Sequence, residues 1–572
     1  MKSAKKATGH AGPAGIVMRI FLVWVIAAFL VYPNINMILG IFYKNGGFNA
    51  DIFRKLFSSG RAMKAMRNSF VLALSMIVTV NITGTLLVFF TEYLEIRGAK
   101  ILKLGYMSTL VYGGIILCTG YKYIYGARGI ITKVLMTFSP GMNPAWFTGY
   151  GAVIFIMTFA CTSNHIIFLT NAIRGIDYQT IEAARNLGAS PLKIFLDVVF
   201  PVLKPTIFAV TILTFLTGLG AMSAPLIVGG TEFQTINPMI ISFAQAPYSR
   251  DLASLMSVIL GTATILFLVL LNRLEKKGNY ISVSKVKSGL KKLKISNLPL
   301  NILMHLLAYF LFLIYVVPIV LVIIYSFSNS NAILSGNLNI KDLTIANYQN
   351  LLLSATAYRP LLISITYSIS AAILAALLTV VVSRILHKSR DKLSPLLEYG
   401  MLIPWLLPNT MIAMGLMTAF DRPRLIMFNK VLIGTVYLLL IAYVIAKLPF
   451  CLRMIRASFF SVDKSLEEAA QSLGSGPLYA MIRVVLPIIL PAVLSVIALS
   501  FNGGLAEYDM TAFLYHPLLR PLGPVIRSAS DETASLNAQA MTFVYAVLLM
   551  IFSSITLYLV YGKKPAIKRH YT

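Results

Sequence analysis

The chain has 572 residues, of which 58% are hydrophobic and only 12% charged, and its formal net charge is +29. A soluble domain carries about a quarter charged residues, so this composition excludes an ordinary soluble protein and predicts an integral membrane protein. A charge of +29 also suits nucleic-acid binding, but the Lys and Arg residues concentrate between apolar runs, where membrane topology explains them. We therefore expect contact with membrane lipid and none with nucleic acid.

About twelve apolar runs are each long enough to cross a bilayer as a helix. In the first half these predicted spans cover 16–38, 69–91, 104–124, 147–171, 202–228 and 252–272. In the second half they cover 300–327, 360–386, 396–419, 430–454, 487–506 and 540–561. The run at 104–124 gives the weakest signal, because it is rich in glycine and polar at its end. The predicted fold class is all-α integral membrane, with two tandem six-helix units.

The sequence begins with the basic segment MKSAKK, but the apolar run after it is long and lacks a small-residue cleavage site. We therefore expect an uncleaved first span, with the N-terminus in the cytoplasm. Most of the 49 Lys and Arg residues then fall on the cytoplasmic side, and the C-terminus is cytoplasmic too. The basic segment 51–70 falls outside, where an amphipathic helix on the membrane surface is expected.

The two halves are joined by a lysine-rich stretch that should be cytoplasmic. This divides the chain into a first unit at 1–275, a connector at 276–298 and a second unit at 299–572. The three cysteines and six histidines show neither a disulfide pattern nor metal-ligand spacing, so no metal site is predicted. No G-x-x-x-x-G-K-[ST] run occurs, so we expect neither a P-loop for ATP nor enzymatic activity in this chain.

One polar passage occurs twice in this apolar chain. EAARNLGASPLKIFLDVVFPVLKP runs from Glu182 to Pro205, and EAAQSLGSGPLYAMIRVVLPIILP runs from Glu468 to Pro491. The two align without gaps at a spacing of 286 residues, half the chain length, and 11 of 24 positions are identical. We infer a duplicated unit. Because each unit has an even number of spans, the copies should be related by a pseudo-twofold axis along the membrane normal.

The chemistry of the repeated passage predicts a short helix, a bend and a return to the membrane. The Glu-Ala-Ala start is strongly helix-forming, and its small alanines allow another backbone to approach closely. Gly188 and Gly474 should end the helices, while Pro191 and Pro477 suit the first turn of the next helix. Both copies fall on the cytoplasmic side.

The pattern E-A-A-x-x-x-G, followed by a proline-rich return to the membrane, resembles the permease motif of type I bacterial ABC importers. FLTGLGAMSAPLIVGG, LSFNGGLAEYDMTAFLYHP and PWLLPNTMIAMGLMTAF also resemble span segments of that family. The resemblance covers nearly the whole chain. It is similar to the fused, two-unit permeases of the ferric-iron, thiamine and aminoethylphosphonate importers.

The resemblance implies that the repeated helices are coupling helices, each seated on one of two copies of a cytoplasmic ATPase subunit. The residues carried over are Glu182, Ala183, Ala184 and Gly188 in the first copy, and Glu468, Ala469, Ala470 and Gly474 in the second. An external substrate-binding protein, a bacterial inner-membrane location and alternating access are also implied. ATP and Mg would be bound by the ATPase, so this chain itself would bind no cofactor.

Applying the 286-residue spacing to the fifth span sets Glu507 opposite Ala221 and Asp509 opposite Ser223. Ionisable residues at membrane depth are costly, so we expect Ser223, Glu507, Tyr508 and Asp509 at the substrate pathway or its outer gate. The alternative is that the acids are solvated beyond the membrane or paired with an arginine. Two other polar residues, His165 and Lys447, are set opposite each other and interpreted as inter-helix contacts near the cytoplasmic end.

Acidic residues in the pathway favour a cation, with ferric iron first. Thiamine, a polyamine, and a phosphonate or phosphate ester remain open. A secondary transporter with six-plus-six repeats, working without an ATPase, is a more distant alternative.

Overall fold

The computed structural model describes residues 13–44, 46–275, 291–335, 339–388, 393–531 and 533–562. Within these ranges the regular structure is helical, apart from an antiparallel pair of two-residue strands, Tyr43–Lys44 and Gly47–Phe48. The all-α prediction is confirmed. The chain ends and most of the predicted connector, 276–290, lie outside the described residues.

The α-helices of the first half are Pro13–Val25, Tyr32–Phe42, Asp51–Ser58, Gly60–Val88, Ala99–Tyr106, Gly114–Tyr125, Ile130–Phe138, Gly149–Arg174, Tyr178–Asn186, Pro191–Ile194, Phe200–Leu219, Ser223–Val228, Ile236–Ala244 and Arg250–Glu275. Those of the second half are Leu298–Ser326, Ser330–Ser335, Ala346–Leu353, Ala355–Lys388, Leu393–Leu402, Asn409–Ala419, Val436–Phe460, Lys464–Ser472, Pro477–Ala480, Leu486–Asn502, Thr511–Leu514, Leu522–Ala529 and Leu536–Leu557. Short π-helical turns occur at Ile26–Val31, Phe89–Tyr93, Phe195–Val199, Met481–Val485 and Tyr558–Gly562.

Among the described residues, ten helices are long and apolar enough to cross a membrane. Two further spans are broken. Ala99–Leu110 and Gly114–Phe138 meet at a bend of 112°, and Leu393–Trp405 and Asn409–Ala419 meet at 108°. If each bent pair counts as one span, the total is twelve, as predicted. The predicted spans at 104–124 and 396–419 therefore correspond to bent helix pairs, and not to straight helices.

The breaks have a local cause. Gly113 and Gly114 separate the first bent pair, and Gly114 has a φ of +59°, which a residue with a side chain adopts only with strain. The second pair is interrupted by the sequence PWLLP, whose last proline, Pro408, lies just before the second helix. Irregular backbone at membrane depth is tolerated where it is covered by protein or lines a cavity.

Duplication is visible in the helix boundaries themselves. Several elements of the second half begin and end 286 residues after their counterparts in the first half. These pairs are Tyr178–Asn186 with Lys464–Ser472, Pro191–Ile194 with Pro477–Ala480, and Phe195–Val199 with Met481–Val485. Even the π-helical turn recurs, so both units build this region in the same way.

The two units interlock through their first spans. Tyr32–Phe42 of the first unit packs against Asn409–Ala419 of the second, and the Trp24 indole donates a 3.2 Å hydrogen bond to the carbonyl of Ile426. Reciprocally, Leu298–Ser326 of the second unit packs against Ala99–Tyr106 of the first. Because the first span of each unit packs against helices of the other unit, the two units share an extensive interface.

The basic segment 51–70 is only partly the surface helix that the sequence suggested. Asp51–Ser58 is a short amphipathic helix, with Ile52 and Leu56 buried. The rest of the segment is the start of the long span Gly60–Val88, capped by the Ser59 side chain, which accepts a hydrogen bond from the backbone N–H of Ala62. This cap allows the helix to begin at Gly60, because the Ser59 hydroxyl satisfies one of the unpaired N–H groups of the first helical turn.

Candidate functional site

The repeated passage folds into two short exposed helices, Tyr178–Asn186 and Lys464–Ser472, here called the first and second loop helices. Each begins after an aspartate whose carboxylate accepts a hydrogen bond from a backbone N–H two residues on. Asp177 accepts from Gln179 at 3.1 Å, and Asp463 accepts from Ser465 at 2.9 Å. An aspartate at this position is a strong helix start signal.

Each loop helix ends at the predicted glycine. Gly188 has a φ of +79° and Gly474 a φ of +88°, so both adopt the left-handed conformation in which glycine closes a helix. Just before each glycine stands a leucine whose side chain points into solvent, since Leu187 and Leu473 are each 88% exposed. The same apolar side chain is thus exposed at the same place in both copies.

The predicted coupling residues lie on the outer surface of these helices. The exposed residues are Glu182, Ala183 and Gly188 in the first copy, and Glu468, Ala469 and Gly474 in the second. Ala184 and Ala470 are half-buried. Their assignment to ATPase contact stays a prediction.

A second feature is a cavity of about 390 Å³ lined by residues of both units. All four predicted pathway residues line it. The full lining comprises Ser223, Glu507, Tyr508 and Asp509 together with Thr109–Ile116, Asn409, Asn502, Gly503, Leu505, Ala506, Leu549 and Ser553. We call it the central cavity.

The central cavity forms where the helices are broken. Thr109–Ile116 spans the break of the first bent pair, and Asn409 begins the second helix of the other pair. The span ending at Asn502 stops just before the acidic cluster, which lies in irregular backbone ahead of Thr511–Leu514. Paired interruptions at corresponding positions of two repeats are a general feature of substrate sites in transport proteins.

The two carboxylates of the acidic cluster have different surroundings. Glu507 accepts hydrogen bonds from the backbone N–H of Met510 at 2.8 Å, and from the N–H and hydroxyl of Thr511 at 3.1 and 2.7 Å. The Lys447 ammonium lies close enough to interact electrostatically with the same carboxylate. Glu507 therefore caps the following short helix, and its charge is largely compensated.

Asp509 has no such compensation. Among the described residues, no hydrogen bond or ion pair reaches its carboxylate, which is partly open to the central cavity and otherwise enclosed by protein. Burial raises the pKa of Asp509 above its usual value, and the neighbouring Glu507 carboxylate adds to the rise. The predicted acidic pair is thus one structural carboxylate and one available carboxylate. Among the described residues, no arginine is paired with either acid.

His165 and Lys447 do make inter-helix contacts, but they are not counterparts. Nε2 of His165 lies 3.0 Å from the Asn81 side-chain oxygen, and the Lys447 ammonium donates a 3.1 Å hydrogen bond to the carbonyl of Gly503. The 286-residue spacing sets Cys451, not Lys447, opposite His165. Gly503, the partner of Lys447, lines the central cavity. Lys447 is therefore beside this cavity, and not near the cytoplasmic end as expected.

Several lining residues escaped sequence reasoning. Asn409, Asn502 and Ser553 carry no charge, so they do not stand out in an apolar chain. Asn502 accepts a 2.5 Å hydrogen bond from the Ser553 hydroxyl, across two helices. The glycine pair at Gly113 and the prolines before Asn409 were the available signals, because they interrupt corresponding spans of both halves.

Comparison with known proteins decides the family. The chain is 34% identical over 535 residues to a probable ABC transporter permease of Sinorhizobium fredii, covering 93% of this chain and 94% of the relative. The chain is an ABC transporter permease. The family described as the binding-protein-dependent transport system inner membrane component matches residues 369–568.

Two further relatives have names that state a transported substance. A ferric transport system permease of Actinobacillus pleuropneumoniae is 24% identical and covers 86% of this chain and 70% of the relative. A putative 2-aminoethylphosphonate transport system permease of Salmonella typhimurium is 26% identical and covers 36% of this chain and 76% of the relative.

The fused permease resemblance is confirmed, and the family is one of transport subunits, not enzymes. As a binding-protein-dependent permease, the chain is a multi-pass inner-membrane protein that works with ATPase subunits and a binding protein. The alternative of a secondary transporter is wrong.

Proposed function

We propose that this permease imports a small cation, with ferric iron favoured, from an external binding protein to the cytoplasm. Two ATPase subunits drive it, one at each loop helix. The choice of a cation rests on Asp509, whose carboxylate has no protein partner among the described residues and lines a cavity formed by both units.

The rest of the cavity lining supports a cation. Asn409, Asn502, Ser223 and Tyr508 offer amide, hydroxyl and phenol oxygens, which are the ligands that hard cations prefer. The described residues contain no group of three or more His, Cys, Asp or Glu side chains able to hold a metal ion. The central cavity therefore suits a cargo that passes through, because a tight resident site would hinder release.

Ferric iron is favoured because a ferric permease is related over most of the chain. Thiamine and polyamines carry positive charge as well, and the same cavity could pass them. An aminoethylphosphonate cargo has support from the relative that covers about a third of the chain, and Lys447 beside the cavity would suit its anionic group. Its ammonium group could still approach Asp509.

Loop-helix docking gives the mechanism. ATP binding would close the ATPase dimer and draw the two loop helices together. Because the units interlock, this movement would rock them as rigid bodies between inward-facing and outward-facing states. The copies differ at Arg185 against Gln471 and at Asn186 against Ser472, so the two docking contacts need not be equal. In this arrangement the loop helices and both chain termini lie in the cytoplasm.

The test reconstitutes the permease with its ATPase in liposomes that receive the loaded binding protein. Uptake of radiolabelled ferric iron, thiamine, a polyamine and aminoethylphosphonate is measured for wild type and Asp509→Asn. Asp421→Asn is the matched control, because Asp421 is exposed and lies outside the central cavity. We expect ferric uptake to fall strongly in Asp509→Asn and to stay unchanged in Asp421→Asn.

Uptake of aminoethylphosphonate, but not of ferric iron, by the wild type would overturn the ferric assignment. Undiminished cation uptake by Asp509→Asn would overturn the role of the carboxylate. Uptake without any ATPase subunit would contradict the driving mechanism.

A further inference from the structure

The two loop helices are attached to the membrane helices by different chemistry. The 286-residue spacing sets Ile181 of the first loop helix opposite Glu467 of the second. Ile181 is 5% exposed and belongs to a buried apolar cluster with Ile176 and Ile194. In the second unit the corresponding place is taken by a carboxylate.

Glu467 forms ion pairs with two basic side chains, Arg384 and Lys388, at the end of the long span Ala355–Lys388. Its Oε2 accepts a 2.7 Å hydrogen bond from Arg384, whose second guanidinium nitrogen pairs with Oε1. The Lys388 ammonium lies 2.9 Å from the same Oε1, and the Gln471 side chain donates to it at 3.2 Å. Forked arginine–carboxylate pairs fix orientation as well as distance.

The Glu467–Arg384 pair is well shielded for a cytoplasmic loop, whereas Lys388 is 40% exposed. The side chains of Arg384 and Glu467 are only 14% and 13% exposed. The Arg384 hydrogen bond is the main cause that lowers the pKa of Glu467, to about 2, so its carboxylate stays charged throughout the physiological range. A shielded, two-pronged contact holds one geometry better than a solvent-exposed pair does.

We propose that Glu467 is a positioning residue, which transmits the movement of the second loop helix to the Ala355–Lys388 span through Arg384 and Lys388. The first loop helix transmits its movement through apolar packing at Ile181. The two permease units are thus coupled by different contacts to the same movement of the ATPase subunits. This inference rests on the proposed docking of ATPase subunits at the loop helices.

The Glu467–Arg384 contact is connected to the central cavity through packed helices. The Ala355–Lys388 span packs against Val436–Phe460 and Leu486–Asn502, the spans on either side of the second loop helix. Leu486–Asn502 ends at Asn502, which lines the central cavity. A tilt imposed at Glu467 therefore reaches the cavity through packed helices, without passing through a loop.

The experiment compares Glu467→Gln with Glu398→Gln in the complete complex with its ATPase. Glu398 forms an ion pair with Arg456 between two other helices, and this pair does not touch the loop helix, so it is a matched control. Substrate uptake and ATP hydrolysis are measured together. We expect Glu467→Gln to bind the ATPase and hydrolyse ATP as wild type does, but to import several-fold less substrate per ATP. Glu398→Gln should keep the wild-type ratio.

A charge-reversed pair, Glu467→Arg with Arg384→Glu, should recover much of the uptake lost in Glu467→Gln. That recovery distinguishes a positioning contact from a general loss of folding. An unchanged ratio of uptake to ATP in Glu467→Gln would overturn the inference, as would failure of the reversed pair in a complex that still folds and binds ATPase. If the wild type bound no ATPase at all, the proposed function would fail instead.

Discussion

The hydroxyl of Thr410 donates a 2.8 Å hydrogen bond to Oδ1 of Asn237, and this buried bond joins the second unit to the first. Nδ2 of Asn237 in turn donates to the carbonyl of Gly220 at 2.7 Å. Gly220 follows the end of the fifth span of the first unit, and Thr410 follows Asn409 at the break of the second bent pair. One asparagine therefore bridges the interrupted helices beside the central cavity.

Thr410→Val should lower the thermal unfolding temperature of the purified permease. The substitution keeps the shape of the side chain but leaves the Asn237 oxygen buried without a donor, at a cost of about 1–3 kcal/mol. Thr418→Val is the matched control on the same helix, because among the described residues the Thr418 hydroxyl bonds only to carbonyls of its own helix. Equal unfolding temperatures for the two variants would contradict the bridging role.

Glu507→Ala should destabilise the fold more than Asp509→Asn does. Glu507 accepts from two backbone N–H groups and one hydroxyl, so its loss removes a helix cap of about 1–2 kcal/mol, whereas Asp509 has no partner to lose among the described residues. Thermal unfolding of the two purified variants measures the difference in stability. Cation uptake shows separately whether Asp509→Asn impairs transport. Equal destabilisation by both substitutions would show that the two carboxylates are not divided in this way.

Cation uptake should rise as the pH increases through the raised pKa of Asp509. Burial, and then the neighbouring Glu507 carboxylate, raise the pKa of Asp509, so its carboxyl stays neutral to a higher pH than that of an exposed aspartate and is charged above it. A charged carboxylate attracts a cation, and a neutral one does not. Asp509→Asn should remove this rise while leaving ATP hydrolysis unchanged. Wild-type uptake that falls as the pH increases would contradict a role for the charged Asp509 carboxylate.

Glu182→Lys combined with Glu468→Lys should abolish co-purification of the ATPase subunit. Both glutamates are exposed on the loop helices, so reversing their charge changes the proposed docking surface without disturbing the core. Glu95→Lys is a suitable control, since Glu95 is exposed but lies outside both loop helices. Retention of the ATPase by the double variant would show that docking uses other contacts.

Sequence reasoning predicted where the loop helices end, but it set their starts four residues too late, at Glu182 and Glu468. The ends were predictable because the glycine and the alanines before it lie within one short segment, which recurs 286 residues later. The aspartates that begin the helices, Asp177 and Asp463, were not recognised as start signals. The two bent pairs were not predicted, because a hydropathy average over about twenty residues does not register a break of three. Glu467 was missed because, read in sequence, it is one more glutamate beside Glu468, and its cationic partners lie about eighty positions earlier.

The sequence by itself determined the membrane class, the duplication and the position of the loop helices, since these follow from hydropathy, internal identity and short-range helix signals. Only the tertiary structure separated Glu507 from Asp509 and joined Glu467 to Arg384. Those distinctions depend on which backbone N–H groups and cations come within hydrogen-bond distance of each carboxylate. Such distances are set by the packing of helices far apart in the chain, which no local pattern of residues encodes.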